Sequence, residues 1–394
     1  MTALSEGLMR FPFSHGEFRS RRELLLEEMR RRGMDAALVS NGPNFFYLTG
    51  MPINVSLGLF TLLLKKDGSG YWLGRRTEMS NVRVYSDVME WSEEGAAILD
   101  EEEPYEALAR GVTKIIGANA VLGVELATGF LPPSGLDIFR RVAPSLHVVD
   151  SSGMVETLRA VKSTEEVELL RQSGRMTADT LKKGIASIKE GMTDSALSAV
   201  LYTEALRLGS ESFAWGPTVT VGRRSAMAHS TFANLPMRRG ELINMEMAAA
   251  VSRYCAPCFR IAIIGRPSEE ARSFHDASLA GLQAGLKGIG PGMTSHEADR
   301  IVREAIDRAG YLEYFTVRAA YSVGIGFAPS WDEDHIMKLR PKDRRIIKPG
   351  MVFHLVPALY KLGVGAVCCS SSIVVTDNGV EVLTPIEPQL FVVE

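Results

Sequence analysis

A chain of 394 residues is longer than one hydrophobic core usually supports, so two domains are expected. Its net charge of −3, with no long block of one sign, gives no electrostatic footprint for nucleic acid or a membrane surface. Four cysteines are too few for a disulfide framework, the apolar run LGLFTLLL (57–64) is too short to span a bilayer, and the N-terminus has no charged-then-apolar leader pattern, so a reducing cytoplasm is the expected setting.

Phe18 to Arg32 places apolar residues at helical spacing, with its arginines and glutamates on the wet face. DAALVS (35–40) reads as a short buried strand, and Asn41-Gly42-Pro43 turns the chain into a helix running through Leu48. The apolar loop GMPINVSLGLF (50–60) leads into FTLLLKKDGSGYWLG (60–74), a hairpin turning at Asp67-Gly68. VLGVE (121–125) and LHVVD (146–150) read as further strands, closing an α/β domain over residues 1–155.

Residues 156–394 repeat themselves. KEGMTDSALSAVLYTEALRLG (189–209) and GPGMTSHEADRIVREAIDRAG (290–310) share Gly-Met-Thr, a polar start and a long helix ending in Gly. Each follows a helical stretch, Thr164 to Ile188 and Ser268 to Leu286. Helix-cap chemistry explains either triplet singly, but not the matching helices on both sides. The pattern predicts a duplicated half-domain: two helix pairs backing one curved antiparallel sheet, with a site where the halves meet.

RYCAPCFR (253–260) has a C-x-x-C spacing, but it lies in a stretch with strand character. Residues three apart on a strand face opposite ways, which suits neither a redox pair nor a zinc knuckle. The alternatives are plain core cysteines, or a sulfur-rich metal site built from Cys255, Cys368 and Cys369.

TLRAVKSTEEVELLRQSGRMT (157–177), LPMRRGELINMEMA (235–248), RYCAPCFRIAIIG (253–265) and KPGMVFHLVPAL (348–359) stand in a recognisable order. Over its whole length the chain resembles the creatinase/prolidase/methionine aminopeptidase superfamily. The resemblance implies a mixed α/β (α+β) protein: a creatinase-like N-terminal α/β domain, then a pita-bread domain over 156–394, acting as a homodimer. Peptidases of this superfamily bind two metal ions through two Asp, one His and two Glu. Those positions fall on Glu246, Pro257, Tyr321, Val356 and Ser370, so no metal and no cofactor is expected.

The chain is more similar to the non-metal branch, ectoine hydrolase and creatinase, which cut a C–N bond in a small amidine-like or guanidino compound. His229, in AMAHSTF, falls where creatinase carries its catalytic histidine; imidazole, with an unperturbed pKa near ~6.5, can take and return a proton. Glu246, among apolar neighbours in INMEMA, needs a cation or a raised pKa. It either holds the substrate cation, attacks its carbon, or pairs structurally with Arg260 or another basic residue.

Candidate substrate contacts are Tyr254, Cys255, Tyr321, Trp331, Asp332, Glu333 and His354. Trp331 either stacks on a flat cation or closes the core, and Glu333 would pair with the same cation. Asp332 stands where creatinase has an arginine. His354 alternates onto the face of Val356 and enters the pocket, or is a core histidine bonded to backbone. The rival functions are an Xaa-Pro metallopeptidase with altered ligands and a non-catalytic pita-bread binding protein.

Overall fold

The computed structural model describes residues 11–53, 59–85, 89–128 and 130–394; much of the apolar loop singled out at 50–60 lies outside them. Two compact units divide between Arg159 and Ala160, at the end of the helix Met154–Arg159. No helix among the described residues is long and apolar enough to cross a membrane.

The first unit is built on one six-stranded sheet. Thr61–Lys65 and Gly70–Arg75 form the expected hairpin, and Asp67 accepts the Ser69 N–H while Gly68 turns at φ 90°. Ala36–Val39 joins the hairpin antiparallel on one side and Val121–Val124 parallel on the other. The strand Ser92–Ile98 escapes sequence pattern because most of its residues are at least partly exposed on the sheet edge, which leaves no apolar alternation to read.

In the second unit the duplication is physical. Thr193 and Thr294 cap the second helix of each pair, Asp194–Leu208 and Ser295–Arg308. Gly191 and Gly292 sit at φ 79° and 85°, where a side chain would be strained. Each then makes the same backbone bond: Gly191 N–H to Met237 O and Gly292 N–H to Ile347 O, both 2.9 Å. Met237 and Ile347 return the bond to Met192 and Met293, both at 2.8 Å. The triplets therefore cap a helix and pin the segment that leads into a later strand, Leu242–Met247 in one half and Val352–Leu355 in the other.

The β-structure divides into two main sheets, of four and eight strands. The helices Thr164–Ser187 and Asp194–Leu208 pack on Ile243, Met245, Met247, Ala262 and Ile264 of the four-stranded sheet. The helices Glu269–Gly288 and Ser295–Arg308 pack on Ala320, Phe353, Leu355 and Ile373 of the eight-stranded one. Strand alternation then turns Asn244 and Glu246 to the face away from the first helix pair, and Tyr321 and His354 to the face away from the second. The site is assembled from those two faces.

Cys255-Ala-Pro-Cys258 is where the chain passes between the sheets. Tyr254–Cys255 pairs within the eight-stranded sheet, and Cys258–Ile264 begins a strand of the four-stranded one. Both cysteines are buried and free, as are Cys368 and Cys369.

Candidate active site

Glu246 lies opposite Thr218 and Phe259 in the four-stranded sheet and is half-buried. Burial pushes its carboxyl up to about 7, against the pull of the Arg318 guanidinium. The expected structural partner, Arg260, is not used. It lies opposite Met245, and its guanidinium donates to the carbonyls of Phe259, Ser370, Ile386 and Glu387. Arg318 packs over the Tyr321 ring at 4.4 Å, and its buried Nε has no hydrogen-bond partner among the described residues.

Beside this pair runs a chain of hydrogen bonds through His354. Trp331 Nε1–H donates to Tyr321 Oη at 3.0 Å, and His354 Nδ1 meets the same oxygen at 2.8 Å. His354 Nε2 meets Ser370 Oγ at 2.6 Å, and Ser370 Oγ also accepts the Phe259 N–H at 2.8 Å. Burial holds the His354 pKa down to about 3, with Arg318 and Arg260 adding to the effect, so the imidazole is neutral. Burial raises the Tyr321 hydroxyl well above the usual phenol range, reinforced by the Glu246 charge. Sequence order obscured this chain: the bonded residues are 10, 33 and 16 positions apart.

The sequence-predicted residues therefore part company. Tyr321, Trp331 and His354 are joined directly, and Asp332, half-buried beside Trp331, adds its negative charge to the surroundings of Tyr321. His354 bonds side chains rather than backbone. Trp331 is buried and its N–H is committed to Tyr321, so it supports that hydroxyl instead of offering a face to a ligand.

Glu333 does not await a substrate cation: it forms a buried ion pair with Lys162 at 2.9 Å and accepts the Ile325 N–H at 3.0 Å. Lys162→Met should strand that carboxylate and lower stability by about 3–5 kcal/mol. Adding Glu333→Gln should recover most of the loss, because an amide oxygen still accepts the Ile325 N–H; thermal unfolding of both variants checks this.

Tyr254 is likewise a core residue, fully buried with its hydroxyl donating to Glu166 at 2.8 Å. Cys255 is sealed against Gly326, and burial pushes its thiol up to about 12. His229 is exposed on the loop before Pro236, at φ 59°, and no hydrogen bond among the described residues joins it to Glu246, Tyr321 or His354. Sequence reasoning passed over Arg318 altogether; its one signal was a lone charge within an apolar run, VRAAYSVGIG.

The five positions assigned to metal ligands can be tested on their chemistry. Only Glu246 retains a carboxylate. Pro257 and Val356 carry no side-chain donor, and Tyr321 and Ser370 are hydroxyls bonded to His354. Glu246 and Val356 stand at equivalent places of the two halves, each nine residues beyond the pinned Met237 or Ile347, so one half carries an acid there and the other does not. Among the described residues no group of three or more His, Cys, Asp or Glu is placed to hold a metal ion, which disposes of the sulfur-rich alternative as well. The donor set does not fit a dinuclear centre.

A duplicated pita-bread unit following an α/β unit of this kind is the architecture of the creatinase/prolidase superfamily. The chain belongs to it: residues 168–377 match metallopeptidase family M24, and 21–161 match the creatinase/prolidase N-terminal domain. Among characterised relatives it is 28% identical to the ectoine hydrolase of Halomonas elongata, over 97% of this chain and 98% of that protein. It is 25% identical to an uncharacterized peptidase of Staphylococcus aureus, over 92% and 98%. In fold it superposes on the Xaa-Pro dipeptidase of Bacillus anthracis (TM-score 0.82, 23% identity, 95% and 99% covered). It also superposes on the prolidase of Thermococcus sibiricus (TM-score 0.84, 22% identity, 98% and 100% covered).

Proposed function

We propose that this protein hydrolyses a C–N bond in a small amidine-like or guanidino compound without a metal ion, with ectoine or a close cyclic analogue as substrate. The observation that carries the proposal is the donor set: one half-buried carboxylate, Glu246, where a peptidase needs five ligands. End-to-end similarity to an ectoine hydrolase supports the same reading.

A planar amidinium would give Glu246 a directly bonded cation, where Arg318 acts on it only through its charge, and binding it would draw the carboxyl from its raised pKa back to the ionised form. The electron-poor carbon between two nitrogens then takes an oxygen from water, directly or after attack by Glu246. The C–N bond breaks, and the departing nitrogen leaves with a proton. His229 is the proposed proton carrier on the strength of the resemblance. Arg318, with its unpartnered Nε, suits a carboxylate elsewhere on the substrate.

Incubating the purified protein with ectoine and following ring opening by NMR tests the proposal. Turnover that survives EDTA and phenanthroline, in protein with substoichiometric metal, is the expected result. Stoichiometric metal with cleavage of Xaa-Pro dipeptides, lost to the same chelators, would replace it with the peptidase reading. The protein is further expected to be a homodimer, to be checked by light scattering.

A further inference from the structure

We infer that His354 is locked as its Nδ1–H tautomer by Ser370, and that this frees the Tyr321 hydroxyl proton to donate into the Glu246 site. The inference rests on the preceding reading of Glu246 as the reaction centre.

The derivation is a count of protons along the chain. Trp331 Nε1 can only donate, so Tyr321 Oη accepts from it. The Phe259 N–H can only donate, so Ser370 Oγ accepts from it. Between these fixed ends lies one neutral imidazole, which must donate from one nitrogen and accept at the other. Two arrangements follow.

In the first, Tyr321 donates to Nδ1, and Nε2–H donates to Ser370. Ser370 Oγ then accepts two bonds, and its own proton must find an acceptor in a fully buried place. None of the described residues offers one, and a buried hydroxyl without a partner costs about 1–3 kcal/mol. In the second, Ser370 donates to Nε2, and Nδ1–H donates to Tyr321. The unplaced proton is then on Tyr321 instead of Ser370. The count is equal in both arrangements, and what separates them is where that proton can go. Ser370 is fully enclosed, with no acceptor beside it among the described residues. Tyr321 instead stands on the sheet face that builds the site with Glu246, whose charge it feels, so its proton has a carboxylate or a bound substrate to meet. The Arg318 guanidinium lies over the same ring.

Accepting two N–H bonds offsets part of the burial that holds the Tyr321 hydroxyl above the usual phenol range, and the hydroxyl stays protonated as a neutral donor to an oxygen or nitrogen gaining electrons. The hydroxyl thus stands at the place of a former metal ligand as a fixed hydrogen-bond donor. His354 and Ser370 are positioning residues, acting through it.

Full-length protein labelled with 15N-histidine, with His354→Gln used to assign the signal, reports the tautomer directly through its long-range 1H–15N couplings. An Nδ1–H pattern in wild type, giving way to a mixture in Ser370→Ala, is expected; an Nε2–H pattern in wild type overturns the inference. On ectoine, Ser370→Ala should lower kcat by about tenfold or more with KM little changed, and Ser370→Thr should restore it. Unchanged kcat in Ser370→Ala alongside the Nδ1–H tautomer would overturn the claim that the donor serves the reaction. The tautomer needs no substrate to be read. Should wild type leave ectoine intact, the proposed function fails on its own, and the NMR pattern still decides the proton arrangement.

Discussion

Glu246→Gln is expected to lower kcat on ectoine about a thousandfold and, at pH 8, to raise the melting temperature. The two effects have one cause. The carboxyl titrates at about 7 in the folded protein, above the ~4.3 of an unfolded chain. A raised acid stabilises the fold below the unfolded value, and that contribution is lost as pH rises through 7. Above it the folded protein carries an ionised group at a cost of about 2 kcal/mol, once the full shift is discounted for the solvent that screens a half-buried carboxylate. The neutral amide removes that cost. The expected gain is about 5 °C for a unit of this size, vanishing only below about pH 4, where the carboxyl is protonated in the folded and the unfolded chain alike. Melting curves of both proteins from about pH 4 to 8 show it. A temperature gap that does not change with pH would mean that the carboxylate is not strained, and full activity in the variant would remove it from the chemistry.

His354→Ala should be the most destabilising single change in the site, at about 3–5 kcal/mol, or roughly a 10 °C fall in melting temperature. It opens a cavity in a fully buried place and leaves Tyr321 and Ser370 each short of a bond. Its pH signature runs opposite to that of Glu246. The folded pKa of about 3 lies below the ~6.5 of the unfolded chain, so between those values the unfolded state binds the extra proton. The stability of wild type attributable to His354 is complete above pH 6.5 and drains away towards pH 3. The variant's stability deficit should therefore shrink as pH falls, measured by chemical denaturation at pH 7 and pH 4.5. A deficit that stays constant would show that the histidine is charged in the fold or already solvated.

Cap residues, turn residues and apolar spacing act over a few neighbours, and all of them are written in order along the chain. That is why the helix starts at Thr193 and Thr294, the Asp67-Gly68 hairpin and the doubling of the second unit were readable in advance. That Pro257 and Val356 offer a metal ion nothing was readable too, since a proline or valine side chain lacks donor atoms in any conformation. What each remaining polar group does depends on partners set by the meeting of two sheets. Glu333 was assigned to a substrate until folding placed Lys162, 171 residues earlier, against it. Trp331 and His354 were ambiguous until Tyr321 and Ser370 closed around them. Arg260 was the natural partner for Glu246 by proximity in sequence, yet the register of two paired strands turned it to the opposite face, and the cation whose charge Glu246 feels is Arg318. The residue types set the available chemistry; the burial and pairing of those residues, which only the tertiary structure decides, set how it is used.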